Sequence, residues 1–245
     1  MNDIIALLQA HRSIRKFTAD PVKDEHLAAI VGSAQMASTS SNVQAYTVIQ
    51  VTDPVKKKEL AALCGNQAYV EQCPVFLVWC ADLYRLEVAC RIQKTEMTAG
   101  TTENLLIATI DAALAAQNAA VAAESLGYGI TYIGGIRNRP QEVAELLGLP
   151  RLVYPVFGMC LGVPDQQPGV RPRLARTAVC HKNGYQADVL EEEIARYDEQ
   201  MRDYYIERTG GRRDTTWSRE MADKFRSPTR PHMKRFLQER GFLQD

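Results

Sequence analysis

The sequence predicts a soluble globular protein that combines helices and strands, in one large domain or two small ones. The chain has 245 residues, of which 46% are hydrophobic and 24% are charged, and these values are ordinary for a protein with a sizeable core. Strand-like apolar runs occupy 46–51, 74–80 and 154–161, and a long alanine-rich helical pattern occupies 104–126. The run at 74–80 is apolar at nearly every position, so we expect a central strand that is buried on both faces.

The overall charge excludes one class of function. Lys and Arg together number 29, and so do Asp and Glu, which gives a formal net charge of zero. A general nucleic-acid-binding protein would need a basic excess. No uninterrupted apolar run reaches the roughly 18 residues that suggest a membrane span, and the N-terminus lacks the apolar core of a signal peptide. We therefore expect a cytoplasmic protein with no nucleic-acid or membrane partner.

The cysteines and histidines give no indication of a metal site. The six cysteines form no C-x-x-C pair, and Cys80 and Cys160 lie within strand-like runs. The four histidines are scattered without the spacing of metal ligands. We interpret the cysteines as reduced thiols, mostly in the core, and we expect no metal.

One short basic stretch, His11–Arg15 (the basic segment), carries the strongest polar signal. In an extended backbone, His11, Ser13 and Arg15 would share one face. Such a face could hold a phosphate at one end and an electron-rich group at the other, because arginine offers a planar fork of donors. The alternative is a solvated segment at a helix C-terminus, where cations suit the helix dipole. Taken alone, these five residues favour the solvated interpretation.

Three other stretches are compatible with an anion or a flat ligand. Ser38–Asn42 (the hydroxyl loop) is a run of small polar residues that resists regular structure. Gly134-Gly135 follows a strand-like run and would leave bare backbone for a ligand. Arg171 and Arg173 flank a proline that keeps the chain extended. Each stretch has a plain alternative, namely a surface loop, a tight turn and a solvated loop.

The long helical pattern and the C-terminal part indicate further partners. The helix at 104–126 is apolar around most of its circumference, so we expect it to be buried, and its alanines suggest a dimer whose interface doubles as core. A polar amphipathic helix is predicted at 191–208. From Arg208 to Arg240 there are ten Lys or Arg against four Asp or Glu. This basic tail is either a surface or partner-binding arm, or it attracts a nucleotide phosphate.

Several catalytic motifs are absent from the sequence. It has no G-x-S-x-G motif, no Walker loop and no G-x-G-x-x-G fingerprint after a first strand. No nucleophile–base pair or carboxylate dyad is evident. A chain that offers phosphate-compatible groups without acid–base machinery suggests that its ligand carries the chemistry.

Several further motifs accompany these stretches. Together the set comprises H-R-S-I-R-K-F-T, the hydroxyl loop, G-x-Q-x-Y at 65–69, A-A-Q-N-A, A-E-S-L-G-Y-G, Y-I-G-G-I-R-N, P-R-L and the tail Y-D-E-Q…R-R-D…W-S. In combination, these motifs resemble the nitroreductase superfamily, in its NADPH-dependent branch of oxygen-insensitive nitroreductases and NADPH–FMN flavin reductases. The resemblance runs from about residue 3 to the C-terminus.

The resemblance implies an α+β fold in which a mostly antiparallel central sheet is flanked by helices. It also implies an interlocked homodimer with FMN bound at the subunit interface. Residues 1–187 would form the FMN-binding core. Residues 188–245 would form a helical extension that embraces the partner subunit and contributes NADPH-binding arginines.

The resemblance also implies roles for individual residues. His11, Ser13, Arg171 and Arg173 would hold the FMN phosphate, with Arg12 near the phosphate and the ribityl chain. Arg15 would contact the pyrimidine edge of the flavin and stabilise negative charge on the reduced ring. The partner subunit would supply Ser38, Thr39, Ser40 and Gln67, with Tyr69 nearby. Tyr132, Ile133, Gly134 and Gly135 would back the ring, and Arg208 and Arg212 would bind NADPH through its 2′-phosphate.

Two departures from the family pattern concern the ligand. The family's basic pair often begins with lysine where this chain has Arg171, which preserves phosphate binding with altered geometry. Asn42 stands where relatives often have an aromatic or apolar residue that faces the flavin, so it bears on the choice of electron acceptor.

The function that the resemblance implies is a two-electron ping-pong reduction of nitroaromatics, quinones or free flavin by NADPH. One alternative is a flavin reductase that supplies reduced FMN to a partner monooxygenase. Another is a non-catalytic flavin-binding redox sensor.

Overall fold

The computed structural model describes residues 2–245, which fall into two compact units. The first unit runs to Pro168 and also includes His232–Asp245, and the second is Gly169–Pro231. The predicted division into 1–187 and 188–245 stays a prediction about how the chain is organised in the dimer.

The first unit contains one four-stranded sheet. Its strands are Tyr46–Val51 (β1), Val75–Asp82 (β2), Gly129–Ile133 (β3) and Val153–Gly162 (β4). The order is β1-β2-β4-β3, and all three pairings are antiparallel. The mixture of helices with an antiparallel sheet confirms the predicted α+β class.

The two inner strands form the centre of the core. All eight residues of β2 are buried, and nine of the ten residues of β4 are buried, Phe157 being the exception. Register places Phe76 opposite Cys160. A strand that is buried on both faces needs apolar side chains on both, which is why the sequence at 74–80 has no alternation. The prediction of a central strand is therefore confirmed.

Within the first unit, helices surround this sheet, and a separate set of helices forms the second unit. They are Asp3–Gln9 (α1), Asp24–Gln35 (α2), Pro54–Leu63 (α3), Ala68–Gln72 (α4), Tyr84–Ile92 (α5), Thr102–Ser125 (α6), Pro140–Leu146 (α7), Arg176–Val179 (α8), Leu190–Thr209 (α9), Trp217–Phe225 (α10) and Met233–Glu239 (α11). Hydrogen bonds from capping side chains explain where several of these helices begin. Asn2 accepts from the Ile5 backbone, Asp53 from that of Lys56 and Thr101 from that of Asn104.

The long helix α6 differs from its prediction on one side. Its alanine side is buried, as expected, and includes Ala112, Ala116 and Ala120. The opposite side is open: Leu106, Ile110 and Leu114 are 50%, 54% and 44% exposed. The prediction of burial around most of the helix is wrong for this chain by itself, because periodicity reports apolar positions and not what covers them.

By length and composition, α6 is also apolar enough to cross a membrane, with a mean hydropathy of 1.5 over its best 18-residue window. It is the one such helix in the part of the chain that the structure describes. The core helices of soluble proteins meet the same criterion. Its buried alanines and the buried Asp111 lie against the rest of the first unit.

The short helices α4, α10 and α11 were not predicted from the sequence patterns. Within the motif at 65–69, α4 begins at Ala68, and it buries Val70. The tail beyond Arg208 was given no helix, yet α10 and α11 both form there, and α11 buries Phe236. Helices this short have weak periodic signals, so they depend on tertiary packing.

Candidate functional site

The basic segment lies at the edge of the sheet beside β3. Ser13 forms a parallel bridge with Ile130, and the Ile14 backbone N–H donates to the Ile130 carbonyl at 2.8 Å. Ile14 is buried against Gly129, where a Cβ would come within 2.6 Å of the Ile14 side chain. The segment is therefore held by backbone hydrogen bonding to β3 and by the buried side chain of Ile14. Its polar side chains lie alternately on the two sides of the extended backbone.

A cavity of about 590 Å³ lies beside this segment. Arg12 and Ile14 line it, together with Glu124, Tyr128 and Asp165. Its lining does not include His11, Ser13 or Arg15, as alternation along an extended backbone requires. The Nε atom of Arg12 is buried and has no hydrogen-bond partner among the described residues. A buried N–H group without a partner is costly, so this donor is available to an anion.

The imidazole of His11 is held by a carboxylate from a distant element. His11 Nδ1 lies 2.5 Å from Glu124 Oε1, and the two side chains are 31% and 14% exposed. Glu124 belongs to the last turn of α6. This contact fixes the ring of His11 and leaves Nε2 as its second polar atom.

The glycine pair lies next to Gln67 and Tyr69. Gly134–Arg137 form a short 3₁₀ turn directly after β3. A Cβ on Gly135 would lie 2.3 Å from the Cys64 carbonyl oxygen and 2.6 Å from Gln67 Nε2, so only glycine fits. Gln67 Nε2 donates to the Cys64 carbonyl at 2.9 Å, and Tyr69 Oη donates to Gln67 Oε1 at 2.6 Å. The structure thus brings Gln67, Tyr69 and Gly135 of one chain together.

The two residues before the glycines differ in exposure. Ile133 is buried, whereas Tyr132 is 36% exposed and its ring packs edge-on against Phe157 at 5.2 Å. Burial of the hydroxyl raises the pKa of Tyr132 well above its ordinary value, and the nearby Glu124 carboxylate adds to this. Tyr132 is therefore neutral at any physiological pH and offers an aromatic surface.

The hydroxyl loop is tethered to α6. The carboxylate of Asp111 accepts the backbone N–H of Ser40 at 3.1 Å and that of Ala45 at 3.0 Å. Ser41, Asn42 and Gln44 adopt positive φ between 47° and 59°. The loop is thus a strained, defined turn that leaves Ser38 and Ser40 exposed and Thr39 half-buried.

In the second unit, the proline-flanked arginines are exposed. Tyr197 Oη donates to the carbonyl oxygen of Pro172 at 2.9 Å, which fixes the segment against α9. Arg173 donates to the carbonyl oxygens of Arg171 and Pro172 at 3.1 and 3.4 Å. Neither arginine pairs with a carboxylate in the described part of the chain, so both charges are available.

Four arginines in and just before the start of the basic tail fall into two groups. Arg202 pairs with Asp214 through two hydrogen bonds of 2.5 and 2.8 Å, and Arg213 pairs with Glu220 while lying 4.0 Å from the centre of the Tyr205 ring. Arg208 and Arg212 have no carboxylate partner within residues 2–245. Arg208 donates to Tyr204 Oη at 3.0 Å, and Arg212 Nε donates to the Thr209 carbonyl oxygen at 3.0 Å.

Two acidic residues that hold parts of this site, Asp111 and Glu124, were not predicted as site residues from the sequence. Asp111 holds the hydroxyl loop and Glu124 holds His11. A signal was present for both, because each is a carboxylate in an alanine-rich helix where burial of a charge requires partners. The identity of those partners was not readable, since they lie 71 and 113 residues away in the sequence.

An antiparallel sheet with a basic segment beside its edge strand is an α+β arrangement and not a dinucleotide-binding βαβ fold. Comparison with known families names this class. Residues 8–163 match the model described as the nitroreductase family, and residues 171–245 match the nitroreductase family C-terminal domain. The chain belongs to the nitroreductase family.

Relatives cover essentially the whole chain. The sequence is 45% identical over 247 residues to a Bacillus subtilis protein named FMN reductase (NADPH), with 99% of each chain covered. It is 42% identical over 242 residues to an oxygen-insensitive NADPH nitroreductase of Salmonella typhimurium, again with 99% of each covered. The solved structure of the NfrA1 nitroreductase from B. subtilis matches with a TM-score of 0.96 and 43% identity, covering 99% of this chain and 100% of the other.

Proposed function

We propose that this protein is a cytoplasmic, FMN-containing oxidoreductase that uses NADPH to reduce nitroaromatics, quinones or free flavin by two-electron transfer. The observation that carries the proposal is the parallel pairing of the basic segment with β3. Because both run in the same direction, Arg15 lies towards Gly134-Gly135 and His11 lies towards the start of β3. One extended segment therefore offers cationic groups to both ends of an elongated ligand.

The residues at the His11 end fit a phosphate. The Ser13 hydroxyl is a suitable donor, and so is His11 Nε2 when both ring nitrogens carry a hydrogen. The unpaired Arg12 Nε lies on the other side of the segment and offers a donor to an anion in the cavity. The assignment of Arg171 and Arg173 to the same phosphate rests on the sequence resemblance and stays a prediction. Their lack of carboxylate partners in the described chain is compatible with it.

The residues at the Arg15 end fit a flat ring. Tyr132 offers an exposed aromatic surface, with Ile133 buried beside it. Gly135 packs so closely against the Cys64 carbonyl and Gln67 that only glycine fits, which fixes the backbone at this end. FMN, when bound, supplies the acceptance of hydride from NADPH and its delivery to an acceptor. Arg15 is exposed and makes no ion pair in the part of the chain described. Its fixed charge would stabilise negative charge that develops on the ring, without a proton transfer from the protein.

The preference for NADPH is supported by the tail. Arg208 and Arg212 have no carboxylate partner among the described residues, in contrast to Arg202 and Arg213. A 2′-phosphate distinguishes NADPH from NADH and needs such cations. The two relatives described above carry NADPH in their names.

A homodimer is supported by the open side of α6. Leu106, Ile110 and Leu114 (the α6 stripe) follow one another at helical spacing and are each 44–54% exposed. Ile4, Ile5 and Leu8 of α1 are also exposed, at 41–64%. Large apolar side chains on neighbouring helical turns mark an interaction surface. In the homodimer we propose, Ser38, Thr39 and Ser40 serve the flavin of the partner subunit. Gln67, which was expected to do the same, lies beside Gly135 of its own chain and would therefore serve the same flavin as Gly135.

The proposal is tested by the colour of the purified protein. The protein should carry FMN, or take it up from solution, and NADPH should bleach the flavin absorbance under anaerobic conditions. Subsequent addition of a quinone or nitroaromatic should restore the colour. A protein that cannot be reconstituted with FMN would contradict the proposal.

Free flavin should also be tested as the electron acceptor, because one relative is named an FMN reductase. If free flavin is the acceptor, reduced FMN should accumulate in the filtrate after anaerobic turnover with excess FMN. Retention of all reduced flavin by the protein would instead favour nitroaromatics or quinones.

A further inference from the structure

We propose that Glu124 is a positioning residue for the FMN phosphate, which acts by fixing His11 in the orientation and hydrogen pattern that the phosphate needs. The inference rests on the proposed function, because it assumes that FMN is the ligand of the basic segment. Its geometric basis is the contact of 2.5 Å between His11 Nδ1 and Glu124 Oε1.

The position of Glu124 in its helix indicates that the carboxylate has a specific partner. Glu124 lies in the last turn of α6, where the helix dipole disfavours a negative charge, and no basic residue occupies that turn. Its side chain is only 14% exposed, so water compensates the charge incompletely. His11 is the group that meets this carboxylate. The pairing thus stabilises a carboxylate that is otherwise badly placed.

The same contact determines what His11 offers on its other side. A carboxylate accepts only, so Nδ1 must carry the hydrogen in this contact. The ring is then held by a bond on one nitrogen and presents Nε2 on the other. When Nε2 also carries a hydrogen, it donates to a phosphate oxygen, and the negative Glu124 balances the positive ring. Without Glu124, the ring can rotate, and the positive charge of a ring that carries a hydrogen on both nitrogens is no longer balanced.

The rigidity of this arrangement comes from α6. The helix is anchored by fully buried alanines, including Ala119, Ala120 and Ala123 just before Glu124. The basic segment is anchored independently through Ile14 and the bridge at Ser13. Glu124 therefore joins two elements whose backbones are already fixed, which is the condition for precise placement of a binding group.

A double-mutant cycle with Glu124→Ala and His11→Ala tests the inference, with FMN affinity of the apoprotein measured by quenching of flavin fluorescence. Carboxylates that orient a histidine are worth about 10- to 100-fold in affinity at metal sites. We expect Glu124→Ala to raise the FMN dissociation constant at least about tenfold, within that range. The same change in a His11→Ala background should have no further effect. Glu124→Gln should recover part of the affinity, because its amide oxygen still accepts from Nδ1.

Riboflavin provides the readout that a merely structural role would not give. It lacks the phosphate, so its affinity should be the same in wild type and in Glu124→Ala. The matched control is Glu25→Ala, which removes an exposed glutamate 3.9 Å from His26 and should change neither affinity. Equal losses for FMN and riboflavin, or additive effects of the two mutations on FMN, would overturn the inference.

The hydrogen pattern is tested in the apoprotein, separately from the flavin. In protein with ¹⁵N-labelled histidine, the His11 signal, assigned by its loss in His11→Ala, should show a hydrogen on Nδ1 and should change in Glu124→Ala. If the apoprotein shows this pattern but wild type does not bind FMN, the proposed function fails. If wild type binds FMN but the cycle is additive, the positioning role fails and the proposed function stands.

Discussion

The carboxylate of Asp111, in the middle of α6, accepts the backbone N–H of Ser40 at 3.1 Å. Asp111 is 0% exposed, and its other oxygen accepts the Ala45 N–H at 3.0 Å. Both ends of a strained loop are thus attached to the long helix of the first unit. The shape of the hydroxyl loop therefore depends on one buried side chain.

Replacement of Asp111 by Asn should destabilise the protein and weaken FMN binding. The amide keeps one acceptor, but its NH₂ group would face the second backbone N–H, which loses its partner. A buried donor without a partner costs about 1–3 kcal/mol. The free energy of unfolding in urea and an FMN titration measure the two effects. Glu103→Gln, an exposed change on the same helix, is the control, and equal stability of the two variants would contradict the tethering role.

Replacement of Arg208 by Ala should raise the Michaelis constant for NADPH and leave that for NADH nearly unchanged. A charge-assisted contact to the 2′-phosphate is worth about 1.5–3 kcal/mol, or roughly 10- to 100-fold. Steady-state kinetics with both nucleotides measures the ratio. Arg202→Ala on the same helix is the control, since that arginine is paired with Asp214. Equal effects of Arg208→Ala on the two nucleotides would remove Arg208 from the 2′-phosphate.

Replacement of Arg15 by Ala should leave FMN binding partly intact and lower the reduction potential of the flavin. Loss of a fixed positive charge destabilises the reduced, more negative ring by about 1.5–3 kcal/mol, which corresponds to roughly 30–60 mV for two electrons. An anaerobic titration against a reference dye measures the shift. Lys16→Ala, at the neighbouring exposed position, should shift the potential much less. An unchanged potential in Arg15→Ala would separate Arg15 from the ring.

Replacement of Ile110 by Asp should convert the proposed homodimer to monomer. A charge in the centre of the α6 stripe would be buried without a partner in an interface formed by that stripe. Sedimentation velocity measures the oligomeric state, and FMN content should fall together with dimer content. Val55→Asp, which charges an exposed position on α3, should leave the oligomeric state unchanged. A dimeric Ile110→Asp protein would place the interface elsewhere.

Stability should decline as the pH rises from about 9 to 12, in part because of Cys64. Burial raises the pKa of the Cys64 thiol from its ordinary value of 9.0 to about 12. In that interval the unfolded chain has lost the thiol proton and the folded chain retains it, so alkali favours unfolding. One such group contributes up to about 1.4 kcal/mol per pH unit.

Urea midpoints near pH 8 and pH 10 test this assignment. Cys64→Ala should lose less stability between the two conditions than wild type, while Cys180→Ala, whose thiol is exposed, should behave as wild type. The same decline in Cys64→Ala and in wild type would assign the effect to other buried groups. Below about pH 9 the contribution of Cys64 is fully present, and it is lost as pH rises through 12.

Local patterns were sufficient for the regular elements and for the family. The bounds of β1 coincide with the predicted 46–51, because the strand preference of β-branched and aromatic residues acts within a few residues. The polar groups of the basic segment, the glycine pair and the free arginines were likewise evident as residue types. Their combination was specific enough to predict the nitroreductase family, which the comparisons confirm.

The tertiary structure alone decided which of these groups meet. Sequence patterns did not connect His11 with Glu124 or Ser40 with Asp111, because each contact closes a long loop through the packing of α6. They also did not show that the α6 stripe is open in the single chain, since apolarity is a property of residues and burial is a property of neighbours. The sequence by itself determined the elements, the family and the chemical groups. The fold determined their partners, because contacts between distant residues follow from how helices and sheet pack together.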